Sequence, residues 1–297
     1  MEGAGTQSPE SLDQLLTEAG GSPDVDYELR STVELVELMS ATEEAVPAAV
    51  RGSTREIAGA IDAITERLAS GGRLLYVGAG TSGRLAALDA DESVATFGAT
   101  PGQVVALNVP DEAEDDRAGG AEALRTAGVD TNDAVVGISA SGRTPYVLGA
   151  VEAAAEAGAL TVALVCVADS ELGRVAEHAV AIPVGPEFIA GSTRLKAGTA
   201  QKLVLNAIST ISMIRLGKTF GNLMVDVTPA NDKLRARVQR IVQTATGASR
   251  EEVDAALEAA DGEAKVAIVS ILGSVDAEAA RARLRAAKGN VRLALRQ

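Results

Sequence analysis

The chain has 297 residues, enough for one large α/β domain with an appendage or for two modest domains. Aromatic residues make up 2% and Trp is absent, which argues against a base-stacking nucleic-acid binder, and the net charge of -14 repels nucleic acid and anionic lipid alike. The one cysteine, Cys166, excludes an intrachain disulfide, and no apolar run approaches the roughly 20 residues that cross a bilayer.

Residues 1–30 read as a lead-in rich in Gly, Ser, Glu and Asp. They carry no apolar signal core, so a cytoplasmic location is the default expectation. Helical periodicity begins at Ser31, breaks near Pro47 and resumes through TREIAGAIDAITERLASGG, with Thr54 as the expected cap and Gly71 as the stop. Strands and helices then alternate. RLLYVGAG reads as a strand before a helix over 82–90, and QVVALNV as a strand before the helix of AEALRTA. DAVVGISA precedes a helix in PYVLGAVEAAAEAG, and LTVALVCVA precedes the short helix SELGRVA. HAVAIPV is the last strand, before a long helix over 195–216. These strands are continuous apolar runs without polar alternation, the pattern of a parallel sheet covered on both faces. The expected fold is therefore α/β, a doubly wound five-stranded parallel sheet with right-handed crossovers. From residue 228 to 297 the pattern is almost wholly helical. The expected division is 1–30 lead-in, 31–227 ligand-binding α/β domain and 228–297 helical domain.

Ligands of such sheets bind at the carboxyl ends of the strands. There the first loop, from Gly78 to Arg84, is built of small residues and opens a helix whose free N–H groups and positive dipole end suit an anion. Gly80, Thr81 and Ser82 are its candidate contacts. Gly78, Gly80 and Gly83 also spell GxGxxG, but no ribose-binding acid closes the second strand, so a dinucleotide is disfavoured. The second loop supplies Ser139, Ser141, Arg143 and Thr144, and Pro145 fits the first turn of the helix that follows. Two hydroxyl-rich loops in one sheet favour a phosphate ester. A third polar segment, 191–202, contributes Ser192 and Lys196, with Thr199 and Lys202 facing either a substrate or a neighbouring protomer.

The segments GAGTSGRL, ISASGRTPYV, GSTRLKAGTAQKLVLNAIS and KTFGNLMVDV resemble those of the N-acetylmuramic acid 6-phosphate etherases, within the wider sugar isomerase superfamily, also called SIS. The later NDKLRARVQRIV, TGAS and GNVRLAL resemble that family as well, so the likeness runs from Ser31 to the C-terminus. The resemblance implies a lyase that cleaves the lactyl ether of N-acetylmuramate 6-phosphate, giving N-acetylglucosamine 6-phosphate and D-lactate, with no cofactor and no metal. It implies a homodimer with the site completed across the interface. It also implies two catalytic acids: Glu92, which protonates departing lactate, and Glu114, the base at C2 or its helper. Around them the chain departs from the family, with Asp91-Glu92-Ser93-Val94-Ala95 in one place and an abbreviated Asn108–Glu112 in the other.

Two other readings stand beside this one. An aldose–ketose isomerase on the same fold often uses a histidine, and His178, the only one, lies at a strand start away from the loops. A non-catalytic sugar-phosphate regulator, like the glucokinase regulatory proteins, would keep the phosphate loops but need neither acid. An enzyme for a different 3-substituted sugar phosphate is the remaining variant.

Overall fold

The computed structural model describes residues 26–109, 111–227 and 232–297. Most of the expected lead-in, Pro110 and the first residues after the expected boundary at 227 lie outside them. Three helices come first: α1 (Thr32–Glu43), α2 (Ala45–Gly52) and α3 (Thr54–Ala69). Ser31 and Glu34 cap α1 reciprocally, each side chain accepting from the other's backbone N–H. Pro47 explains the break after α1, because its ring would strike the carbonyl of Glu43 if the helix ran on. The N-cap of α3 is Ser53, not Thr54. The Ser53 hydroxyl donates instead to the Ala181 carbonyl at 2.6 Å, tying the helix to the sheet.

The alternation that follows is β1 (Leu74–Gly78), α4 (Gly80–Phe97), β2 (Val104–Asn108), α5 (Arg117–Thr126), β3 (Ala134–Ser139), α6 (Pro145–Glu156), β4 (Leu160–Val165), α7 (Glu171–Val175), β5 (His178–Ala181) and α8 (Lys196–Arg215). All five strands are parallel, in the order β2-β1-β3-β4-β5. Successive strand residues face opposite layers, as the pleat requires. Leu74, Tyr76, Val136, Ile138, Val162 and Leu164 pack under α2, α3, α4 and α8. Leu75, Val77, Val135, Ala163 and Val165 pack under α5, α6 and α7. Burial on both faces is why the strands read as unbroken apolar runs. Cys166 is buried, and burial pushes its thiol up to about 12. That matches its expected role as a small core residue.

Helix α4 is longer than expected, starting at Gly80 and running to Phe97. Gly98 stops it in the left-handed region at φ +59, where a side chain would also meet the Asp226 carbonyl. Its first turn lies against β1, and a Cβ on Gly83 would sit 2.3 Å from the Gly78 carbonyl oxygen. The third glycine of the loop thus serves close helix–strand packing. Gly83→Ala should lift α4 off β1 and cost about 2 kcal/mol. In urea unfolding this appears as a lower midpoint with an unchanged slope.

After α8 comes a short hairpin, β6 (Thr219–Phe220) with β7 (Leu223–Met224), which the sequence pattern does not announce. Five helices follow: α9 (Asp232–Thr246), α10 (Arg250–Ala259), α11 (Ala264–Gly273), α12 (Ala277–Ala286) and α13 (Val291–Ala294). They share their own core, including Val242, Val253, Ile268 and Val291. That core reaches back to Val225 and Val227, with Phe220, Leu223 and Met224 against it. No helix among the described residues is long and apolar enough to cross a membrane.

Candidate active site

Strand β1 has β2 on one side and β3 on the other, so the connections leaving β1 and β3 diverge onto opposite faces. A crevice opens between them at the carboxyl ends. It holds a cavity of about 390 Å³. The N-cap and first turns of α4 line it with Ala79, Gly80, Thr81, Ser82 and Arg84. The β3–α6 loop lines it with Ser139, Ala140, Ser141 and Thr144, and Glu114 and Thr193 complete the wall with Ile138. A larger cavity, about 560 Å³, lies in the helical cluster against Lys265 and Arg281. Two of its cations are already matched, Lys265 to Asp226 at 2.8 Å and Arg281 to Asp261 and Glu263, while Arg285 also lines it. The crevice, lined by hydroxyls at the carboxyl ends of β1 and β3, is the better ligand site.

The hydroxyls are held in defined positions. Ser139 Oγ lies 2.8 Å from Thr144 Oγ1 and accepts the Gly142 N–H at 3.0 Å. Ser141 Oγ accepts the Arg143 N–H at 3.3 Å, and Thr81 Oγ1 accepts from Arg84 at 3.2 Å. Ser82, nearly buried, donates to Gln201 Oε1 of α8 at 2.9 Å. The first turn of α4 brings helix N–H groups beside them, whereas at the start of α6 Pro145 has no N–H and that of Tyr146 goes to the Glu114 carbonyl. Five hydroxyls beside two helix N-termini form a cradle for an oxyanion.

Of the residues the sequence singles out, Gly80, Thr81, Ser82, Ser139, Ser141, Thr144 and Glu114 are brought together here. Glu114 follows β2, and its carbonyl accepts the Tyr146 N–H at 3.1 Å, fastening it beside the start of α6. Arg143 is half-buried on the same loop but outside the lining, as is Ser192 before α8. Lys196 also lies outside it. This lysine is 4% exposed, and its ammonium donates to the Val184 carbonyl at 2.8 Å. Its backbone N–H and that of Ala197 are capped by the buried Glu187 carboxylate, each at 2.9 Å. Thr199 bonds the Leu195 carbonyl within its own helix. Thr193 and Arg84 line the cavity as well, within GSTRLKAGTAQK and GAGTSGRL but outside the residues that the sequence singles out.

Glu92 stands apart. It lies twelve residues beyond Gly80 on α4, about 18 Å along the axis. Its carboxylate meets the Lys202 ammonium of α8 at 3.1 Å. Beneath that pair is a buried polar cluster. Asp89, 2% exposed, accepts from Tyr76 Oη at 2.9 Å and Ser209 Oγ at 3.1 Å, with Lys202 at 3.9 Å. Burial raises the Asp89 carboxyl above its ordinary value, and burial beside that acid raises the Tyr76 phenol well above its own.

Comparison with known proteins agrees with this architecture. A family profile for the glucokinase regulatory protein N-terminal SIS domain matches residues 56–155, and the SIS domain profile matches 118–211. Among solved structures, a protein assigned as a phosphosugar isomerase involved in capsule formation, from Bacteroides fragilis, is 21% identical. It covers 62% of this chain and 91% of its own, with a TM-score of 0.50. A likeness of that order shows the shared fold alone. The sequence relatives are much nearer. An N-acetylmuramic acid 6-phosphate etherase of Streptomyces avermitilis is 52% identical over 96% of this chain and 94% of its own length. One from Rubrobacter xylanophilus is 54% identical over 96% and 97%. With more than half the residues identical across nearly the whole of both proteins, the helical cluster included, the chain belongs to the N-acetylmuramic acid 6-phosphate etherase family.

Proposed function

We propose that this protein cleaves the lactyl ether of N-acetylmuramic acid 6-phosphate, releasing D-lactate and N-acetylglucosamine 6-phosphate. The observation that carries the reading is Glu114 in the wall of a cradle built from hydroxyls and helix N-termini. The phosphate sits in that cradle, on Thr81, Ser82, Ser139, Ser141 and Thr144. Opening the sugar ring makes C1 an aldehyde, which acidifies the proton on C2. Glu114 removes that proton. Electrons move into the C2–C3 bond and the C3–O bond breaks, while Glu92 protonates the departing lactate oxygen. Water then adds at C3 and restores the sugar. The substrate's own aldehyde is the electron sink, so the scheme calls for no cofactor.

The span along α4 is longer than a hexose phosphate, so Glu92 is supplied by a second copy of the chain. Support comes from its neighbourhood. Leu88, one turn before Glu92, and Leu203, Ile211 and Ile214 on α8 are large apolar side chains left 39–45% exposed. A homodimer that buries this face carries Glu92 toward the partner's crevice. In this reading 31–227 binds the sugar phosphate and 228–297 is a helical domain. Because a phosphorylated sugar does not cross a bilayer unaided, the reaction belongs in the cytoplasm.

The test is incubation with N-acetylmuramic acid 6-phosphate in heavy-oxygen water, followed by mass spectrometry. Lactate release with the label at C3 of the sugar is the expected result. Label in lactate would mean direct attack on the lactyl carbon and would overturn elimination and addition. Saturable binding without lactate would leave a regulator or an enzyme for another 3-substituted sugar phosphate.

A further inference from the structure

The cradle has one defect that points to a further residue. Gln201, in the segment KAGTAQK, is 1% exposed between α4 and α8. Its Oε1 accepts the Ser82 proton, while its Nε2 is buried with no hydrogen-bond partner. A buried amide nitrogen left without an acceptor costs about 1–3 kcal/mol. The same orientation is wrong for an anion. Ser82 spends its proton on Gln201, so only its lone pairs face the cavity it lines. A phosphate ester offers acceptors only and needs donors.

The rest of the cradle shows how much one proton matters. Ser139 and Thr144 share a hydrogen bond, and Ser139 Oγ also takes the Gly142 N–H, so those two hydroxyls keep a single proton between them for a ligand. Ser141 and Thr81 accept from Arg143 N–H and Arg84 and keep one proton each. Ser82 is the last of the five hydroxyls at the starts of α4 and α6, with Thr193 across the cavity from them in the segment before α8. The two ends of a carboxamide have nearly the same shape, and a half-turn about the terminal bond exchanges them. After that turn Nε2 donates to Ser82 Oγ, and the Ser82 proton is free to enter the cavity. The carbonyl oxygen becomes the unpaired atom in its turn, and the ligand's hydrogen bond to the Ser82 proton tips the balance between the two orientations.

We propose that Gln201 is a positioning residue that sets the direction of the Ser82 proton, its amide turning over when a phosphate ester occupies the cradle. The inference rests on the crevice being a phosphate cradle but not on ether cleavage. It explains why a neutral, buried amide stands at this point of α8: a carboxylate would hold the Ser82 proton permanently, and an apolar side chain would give Ser82 no orienting donor.

Calorimetric titration with N-acetylglucosamine 6-phosphate and with inorganic phosphate tests it in a double-mutant cycle. Ser82→Ala in the wild-type background removes a charge-assisted hydrogen bond and should weaken both ligands about 10-fold. In a Gln201→Glu background the carboxylate keeps the Ser82 proton, so Ser82→Ala should change affinity less than about 2-fold, a non-additivity that only coupled residues show. Equal losses in the two backgrounds, or no loss in the wild type, would overturn the proposal. A second measurement needs no variant to fold. In side-chain amide NMR of the wild-type chain, the Gln201 NH₂ pair should shift on addition of inorganic phosphate, and an unmoved pair overturns the proposal. Failure to release lactate would sink the etherase reading and leave these binding results standing.

Discussion

Glu114→Gln should bind the sugar phosphate nearly as the wild type does and release lactate about 10²–10⁴ times more slowly, the usual cost of losing a positioned acid or base. Glu92→Gln should fall in the same range. The two variants should part company in heavy water. If Glu114 removes the C2 proton, Glu92→Gln still exchanges that proton, and substrate recovered from it carries deuterium at C2. Glu114→Gln should return substrate without deuterium. The reverse pattern would exchange the two roles. Mixing the variants tests the dimer as well. A mixed dimer places both substitutions in one site and none in the other, if Glu92 crosses the interface. With random pairing, about a quarter of wild-type activity should return. No recovery in a mixture shown to exchange subunits would mean that both acids serve the crevice of their own chain.

Much of this was legible in the sequence for a physical reason. Strands buried on both faces carry almost no polar residues, Thr161 being the one in Leu160–Val165, so that run is recognisable without its neighbours. The loops were legible because serine and threonine directly after such strands have few purposes other than capping and anion binding. What could not be read depended on partners distant in the chain. The run Asp89 to Ser93 looks like the end of a helix, yet α4 continues because Asp89 finds Tyr76 and Ser209, and the Ser93 hydroxyl returns to the Asp89 carbonyl. Lys196 looks like an anion ligand, but Val184, twelve residues earlier, takes its ammonium. Thr193 reaches the cavity from the segment before α8 and Arg84 from the first turns of α4, placements that composition does not encode. Strands of two residues, as in β6 and β7, are too short to carry a pattern.

The buried cluster under Glu92 should be the most sensitive point in the sheet domain. Asp89→Ala removes the acceptor of the fully buried Tyr76 hydroxyl and of Ser209, and it leaves a hole between β1, α4 and α8. A loss of about 3–4 kcal/mol is expected in urea unfolding, from two orphaned hydroxyls and the cavity together. Asp89→Asn keeps the shape: its oxygen accepts from Tyr76 and its nitrogen donates to Ser209, so the loss should stay below about 1 kcal/mol. The pair of variants also separates shape from charge. Burial raises the Asp89 carboxyl in the folded chain above its unfolded value, so the folded state holds the proton more tightly. That contribution is fully present below the unfolded value and is lost as pH rises through the raised folded one. Wild type should therefore gain on Asp89→Asn as the pH is lowered through the raised folded value toward the ordinary carboxyl range. The opposite trend would mean that Tyr76, Ser209 and Lys202 stabilise the carboxylate by more than burial costs. Activity should respond beyond stability. Lys202 stands between Asp89 and Glu92, and a lone exposed pair holds a side chain in place only weakly. Asp89 beneath Lys202 is what fixes the ammonium against α4, so Asp89→Ala should lower the rate of lactate release in the fraction that remains folded, while the affinity for the sugar phosphate, set at the other end of the helix, stays as it was.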